Sequence, residues 1–302
     1  MALGEFSPAF SAGPPEDLQE LQALEAAKLA LYKRPSNIRI TNITIPGSEA
    51  QIPARLYEPL DGDGPHPLFI WFHGGAFIFG DIDMGEAEFT GAEIASRANA
   101  VVISVDYRLA NPDLRFPCCQ VDGVDAVLWA RENASEWNAN PNKLFVGGAS
   151  AGACLTGSIA LVLRDRGINA TGYLPIYPTA HIQLPEMNDI VRKAVEGVHF
   201  FTSEFSALHN PWLMEGMVGN EYHVFPGETS DKSGQSPFLI VHAEKDSLRM
   251  SGEKWTKELR AAGVSVDEFI EPNVPHGYLS FGPEDKGADH TFDLMARWIK
   301  AH

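Results

Sequence analysis

Gly148-Ala149-Ser150-Ala151-Gly152 is a Gly-x-Ser-x-Gly pentapeptide. It follows the apolar run Leu144-Phe145-Val146 and precedes small residues able to start a helix, Ala153-Cys154-Leu155-Thr156. Strand, sharp turn and helix is the setting that presents a serine hydroxyl as the nucleophile of acyl transfer. Glycines are needed at 148 and 152 because a Cβ there would collide with the adjoining strand and helix. A serine hydroxyl is a weak nucleophile at neutral pH. It needs a base to take its proton, and the base needs an orienting carboxylate.

In such a site the chain order is serine, acid, histidine. His276 fits the base: it lies in Asn273-Val274-Pro275-His276-Gly277-Tyr278, just after the last predicted strand. His242 falls inside a strand, where packing is expected. His181, His199, His209 and His223 lie in or near an insertion, and His290 and His302 in or after the terminal helix. The acid is expected after the strand Pro237–Ala243, which selects Asp246; Glu244, in the same loop, is the alternative. A helix N-cap is the competing role for Asp246.

The oxyanion that develops during acyl transfer needs preorganised N–H donors. One candidate is the backbone N–H of Ala151. The others are those of Gly74, Gly75 and Ala76 in His73-Gly74-Gly75-Ala76, directly after the strand Pro67–Phe72. Glycines let this backbone approach a substrate closely, and a backbone donor tolerates alanine at 76. His73 is expected to fix the loop rather than to act as a base.

The elements that must position these groups alternate. Strand-like runs cover Ile38–Ile45, Gln51–Tyr57, Pro67–Phe72, Ala100–Tyr107, Lys143–Gly147, Gly172–Tyr177, Pro237–Ala243 and Ser265–Ile270. Helical stretches cover residues 16–34, where Leu18, Leu21, Leu24 and Leu31 fall near one side, and then Gly85–Asn99, Asp122–Asn133, Ala151–Arg166 and Gly252–Ala262. Strands apolar throughout, alternating with helices, predict a parallel sheet covered on both faces, an α/β domain of three layers. Between Pro178 and Ser236 no strand is evident. Met187, Ile190, Val191, Ala194, Val195 and Val198 follow helical spacing there, and a second apolar group runs Phe200, Phe201, Phe205, Leu208, Trp212, Leu213, Met214, Met217. This insertion reads as a lid over a pocket, with packing on the core as the alternative. Phe77, Phe79, Trp212 and Met217 are the pocket candidates, although Phe77 and Phe79 could equally be ordinary packing.

The 302 residues carry 23 basic and 40 acidic side chains, a net charge of −17. Such a surface repels phosphate backbones and anionic lipid, so neither nucleic acid nor a membrane surface is an expected partner. The expected partner is a small-molecule ester. Cys118, Cys119 and Cys154 form no disulfide framework and no zinc spacing. No signal peptide and no transmembrane run is evident, which gives an expectation of a cytoplasmic protein without cofactor or metal. The residues leave the oligomeric state open, a homodimer included.

Together the motifs resemble the hormone-sensitive-lipase family of α/β-hydrolases over roughly residues 65 to 300. The family's His-Gly-Gly-Gly stands as His73-Gly74-Gly75-Ala76, and its Gly-Asp-Ser-Ala-Gly-Gly as Gly148-Ala149-Ser150-Ala151-Gly152-Ala153. Its Tyr-Arg-Leu-Ala block is Tyr107-Arg108-Leu109-Ala110, with Phe116-Pro117 and Asp122 following. Its Asp-x-Leu-Arg is Asp246-Ser247-Leu248-Arg249, and its His-Gly-Phe is His276-Gly277-Tyr278. The resemblance implies an α/β-hydrolase fold: a mostly parallel sheet of about eight strands flanked by helices, with a helical cap. The core would comprise residues 38–180 and 236–302. The cap would comprise 181–235, with residues 1–37 contributing.

The implied activity is that of a cofactor-independent carboxylesterase acting on a small or medium, apolar ester. Ala149 and Ala76 depart from the family pattern and point to an altered substrate range. The same triad would serve a lactonase, an amidase or an acyl-enzyme cyclase, and a lyase or cyclase on a specialised natural product is a further alternative. A ligand receptor, as in the plant gibberellin receptors that lack the histidine, is disfavoured by His276.

Overall fold

The computed structural model describes residues 16–196, 201–220 and 222–302. Eight strands form one sheet: β1 (Ile38–Pro46), β2 (Gln51–Pro59), β3 (His66–Phe72), β4 (Val101–Val105), β5 (Ala139–Ala149), β6 (Gly172–Ile176), β7 (Phe238–Lys245) and β8 (Val266–Pro275). Their spatial order is β1-β2-β4-β3-β5-β6-β7-β8. Pairing is antiparallel between β1 and β2 and between β2 and β4, and parallel from β4 to β8.

The sequence dictates this layering. Along β3, Leu68, Ile70 and Phe72 join one apolar cluster while Phe69 and Trp71 join another. Side chains alternate across a strand, so a strand apolar at every position must be covered on both faces. Helices α3 (Cys118–Asn133), α4 (Ala151–Asp165) and α7 (Arg249–Ala261) supply Ala126, Cys154 and Trp255 to the first cluster. Helices α2 (Gly85–Ala98) and α8 (Lys286–Ala301) supply Phe89 and Phe292 to the second. Parallel strands bring the carboxyl ends of β3, β5, β6, β7 and β8 to one edge, where loops gather a site.

Several boundaries differ from the sequence reading. Helix α3 begins at Cys118 instead of Asp122, α7 at Arg249 instead of Gly252, and β8 runs on to Pro275. Helix α1 (Glu16–Leu31) buries Leu18, yet Leu24 and Leu31 are exposed. The expected apolar side is thus used over only part of its length.

Among its described residues the insertion's α-helices are two short pieces, α5 (Asp189–Ala194) and α6 (Ser203–Leu213). Each starts at a side-chain cap: Asn188 Oδ1 accepts the Val191 N–H, and Thr202 Oγ1 accepts the Phe205 N–H. Val191 and Leu213 are buried, but Ile190 and Leu208 face solvent. Val198, His199 and Phe200 lie outside the described residues. Among the described residues no helix is long and apolar enough to cross a membrane, and no cluster of three His, Cys, Asp or Glu side chains could hold a metal.

Candidate active site

Strand β5 delivers Ser150 onto the turn before α4 with φ 53° and ψ −112°. A non-glycine residue at positive φ is strained, and such strain persists only where the surroundings enforce it. Here the Ser150 N–H donates to the Ile176 carbonyl at 3.0 Å, and the Ser150 carbonyl accepts the Cys154 N–H at 3.0 Å. The flanking glycines are needed for the reason read from the sequence. A Cβ on Gly148 would stand 2.3 Å from the Gly152 carbonyl oxygen, and one on Gly152 2.0 Å from that of Phe72.

His276 follows β8 and Asp246 follows β7, and both are buried. Nε2 of His276 lies 2.8 Å from Ser150 Oγ, and Nδ1 lies 2.8 Å from Asp246 Oδ2. The carboxylate can only accept, so the network places the imidazole proton on Nδ1 and leaves Nε2 to accept the serine hydroxyl. Asp246 Oδ1 also takes the Leu248 N–H at 2.8 Å, which fixes the carboxylate plane. Tyr177 and Phe201 meet the imidazole edge-on at 5.0 and 5.1 Å. Glu244, the alternative acid, instead accepts the Asn273 N–H at 2.6 Å. The chain from Asp246 to Ser150 can draw a proton off the hydroxyl as it attacks a carbonyl.

The loop after β3 turns through positive φ at Gly75 (117°), Ala76 (50°) and Phe77 (65°). Only glycine fits at 75, where a Cβ would stand 1.9 Å from the Phe79 carbonyl oxygen. His73 is fully buried, with its Nδ1 2.6 Å from the Gly74 carbonyl and its ring stacked on Tyr107 at 4.4 Å. Burial lowers its pKa to about 4, so the ring stays neutral. One expected donor is redirected: the Gly74 N–H donates to Glu86 Oε1 at 3.2 Å and is not free for an oxyanion. Among the described residues no protein acceptor takes the N–H of Gly75, Ala76 or Ala151.

Beside Ser150 lies a cavity of about 30 Å³, lined in part by Ala76, Phe77, Ala151, Phe201, Phe205 and His209. Of the four pocket candidates only Phe77 lines it. Phe79 and Met217 are half-buried and pack against the core. Trp212 stacks on His209 at 5.8 Å, beneath the Arg115 guanidinium at 4.9 Å, and packs against the same core. The α6 face that meets Ser150 is instead Phe205, Ser206, His209 and Asn210. Their helical spacing of one, three and four is a signal the sequence did carry. His209 Nε2 lies 2.8 Å from the Ala76 carbonyl oxygen, and burial lowers the His209 pKa to about 4.

A family model described as the alpha/beta hydrolase fold matches residues 69–280. The carboxylic ester hydrolase LipN of Mycobacterium tuberculosis is 33% identical over 88% of this chain and 71% of its own length. An arylesterase of Saccharolobus solfataricus is 30% identical over 76% of this chain and 73% of its own. Among solved structures, a hyperthermophilic esterase from the archaeon Pyrobaculum calidifontis superposes with a TM-score of 0.82. It is 28% identical, and the match covers 94% of this chain and 92% of that one.

Proposed function

The chain belongs to the hormone-sensitive-lipase-like branch of the α/β-hydrolase family. From that premise we propose that it hydrolyses a small or medium, apolar carboxylic ester through an acyl-enzyme on Ser150. The hydrogen-bonded chain from Asp246 through His276 to Ser150 Oγ is the observation that carries this reading.

Ser150 Oγ attacks the ester carbonyl while His276 Nε2 takes its proton, and Asp246 stabilises the imidazolium that forms. The carbonyl oxygen becomes an oxyanion facing the N–H groups of Ala76 and Ala151, with Gly75 beside them. Each such donor is typically worth ~3 kcal/mol of transition-state stabilisation. Collapse of the tetrahedral intermediate breaks the bond to the alkoxy oxygen, which leaves as the alcohol with the proton from His276. Water then attacks the acyl-serine, with His276 again as base, and releases the acid.

The described part of 181–235 acts as a cap on a core formed by 38–180 and 236–302, and helix α1 contributes to it, residues 1–15 lying outside the described residues. Phe205 and His209 of α6 roof the serine. A cavity of about 30 Å³ has room for about two or three waters and for no ester. Substrate entry therefore displaces α6 or its side chains. Release of p-nitrophenol from acyl esters running from acetate to decanoate tests the proposal, with Ser150→Ala alongside. Turnover lost in the variant supports it, and the chain-length optimum sizes the acyl site. Turnover that survives Ser150→Ala removes the nucleophile assignment.

A further inference from the structure

Glu86, at the start of α2, is buried directly behind the serine turn. Its Oε2 lies 2.9 Å from the point where a Cβ on Gly74 would stand, and that point is 3.3 Å from Ser150 Cβ. Its carboxyl has two partners, both belonging to the site. Oε1 accepts the Gly74 N–H at 3.2 Å, and Oε2 lies 3.3 Å from the Tyr177 hydroxyl. The Tyr177 ring in turn packs on His276. From the other side, the Glu86 backbone N–H donates to Glu25 Oε1 of α1 at 2.9 Å.

We infer that Glu86 is a positioning residue that holds the oxyanion loop against the serine turn, and that Glu25 brings helix α1 into the same assembly. The inference rests on the loop and serine roles proposed above. A buried carboxyl with no cation against it favours the neutral state, because desolvation penalises the charge. Glu25 from α1 reinforces this, while the Gly74 N–H and the Tyr177 O–H, as donors to the carboxyl, oppose it. The groups that face the carboxyl are thus Glu25 from α1, the Gly74 N–H of the loop, and the Tyr107 and Tyr177 phenols. Glu25 is itself raised by burial, with Asp81 adding to the effect and the Ser280 hydroxyl opposing it.

Burial first, then the Glu25 charge, push the Glu86 pKa up to about 8. Oε1 accepts the Gly74 N–H and Oε2 accepts the Tyr177 O–H, so both contacts tie the carboxyl to the site. Loss of the carboxyl proton sets a negative charge behind the loop proposed to bind an oxyanion. The charge opposes the transition state, so kcat falls as the pH rises through about 8.

The test is kcat and KM on p-nitrophenyl acetate from about pH 6 to pH 10. The proteins are wild type, Glu86→Gln, Glu86→Ala and Glu25→Gln, with Ser150→Ala as the control. Wild type should lose kcat on an alkaline limb. Glu86→Ala should lower neutral-pH kcat about tenfold or more, with KM changed less than about twofold. Glu86→Gln keeps the geometry of the neutral carboxyl. It should rescue most of that loss and abolish the limb. Glu25→Gln removes a neighbouring negative charge and should move the limb to lower pH. A Glu86→Gln profile superposable on wild type overturns the inference. So does neutral-pH kcat in folded Glu86→Ala equal to wild type. If Glu86→Ala does not fold, the Glu86→Gln profile alone decides. Turnover that persists in Ser150→Ala, or its absence in wild type, overturns the underlying functional reading and this inference with it.

Discussion

His209 Nε2 and the carbonyl oxygen of Ala76 stand 2.8 Å apart, so one hydrogen bond ties α6 to the loop proposed to bind the oxyanion. The neutral imidazole donates, and its grip fixes the Ala76–Phe77 peptide plane where the backbone runs at positive φ. Closure of α6 and competence of the loop are thereby linked. His209→Leu should lower kcat about tenfold with a smaller change in KM, and His209→Gln, which keeps a donor, should recover most of it. Steady-state kinetics on a short ester decide this, and a fully active His209→Leu would refute the link.

His73 and His209 also set the acid response. Burial lowers both pKa values to about 4, below the unfolded value of 6.5. The unfolded chain therefore binds more protons than the native state between these values, and stability falls as the pH drops from 6.5 toward 4. Each ring can contribute roughly 3 kcal/mol of that loss. Urea midpoints at neutral pH and near pH 4.5 should differ accordingly. His209→Phe should show a shallower dependence than wild type, and an equal slope would remove His209 from the account.

Asp246 and Glu244 follow the same strand but do different work. Asp246→Asn should drop kcat by ~10³ or more, because the imidazole then loses the partner that fixes its tautomer. Glu244→Gln touches only the Asn273 N–H and should leave kcat within about twofold of wild type. A reversed pattern in the two variants would reassign the acid.

The two departures from the family motifs lie in different surroundings. Ala76 lines the cavity beside Ser150, whereas Ala149 is fully buried in the cluster that includes Leu174 and Ile176. Ala76→Gly removes a methyl and its left-handed strain, so it should raise relative activity on longer acyl esters. Ala149→Asp should lower the Tm and leave acyl preference unchanged, because an unpaired carboxyl is being buried. An acyl profile altered by Ala149→Asp would restore residue 149 as a specificity position.

What the sequence made legible is what backbone geometry imposes locally. The glycines around Ser150 and Gly75 after β3 are forced by close backbone approach, and Gly74 by the Glu86 and Ser150 side chains, so their spacing survives as a motif. Strand order then brought Asp246 and His276 to the same edge as Ser150. The facing surface of α6 was harder to see, since it depends on how the helix is rotated over the core. Apolar content alone pointed to Trp212 and Met217 in place of Phe205 and His209. The partner of Gly74 was also hidden. Glu86 lies on another element, and nothing local marks which of α2's three buried acidic residues, Glu86, Glu88 or Glu93, meets the loop.

The most direct test of the central claim is intact-mass and peptide mapping after reaction with a p-nitrophenyl phosphate triester, which arrests a serine hydrolase at the covalent stage. A single phosphoryl adduct on the peptide bearing Ser150, formed with loss of esterase activity and absent in Ser150→Ala, is the predicted result. Full inhibition with the adduct on another residue, or undiminished ester turnover by Ser150→Ala, would contradict it.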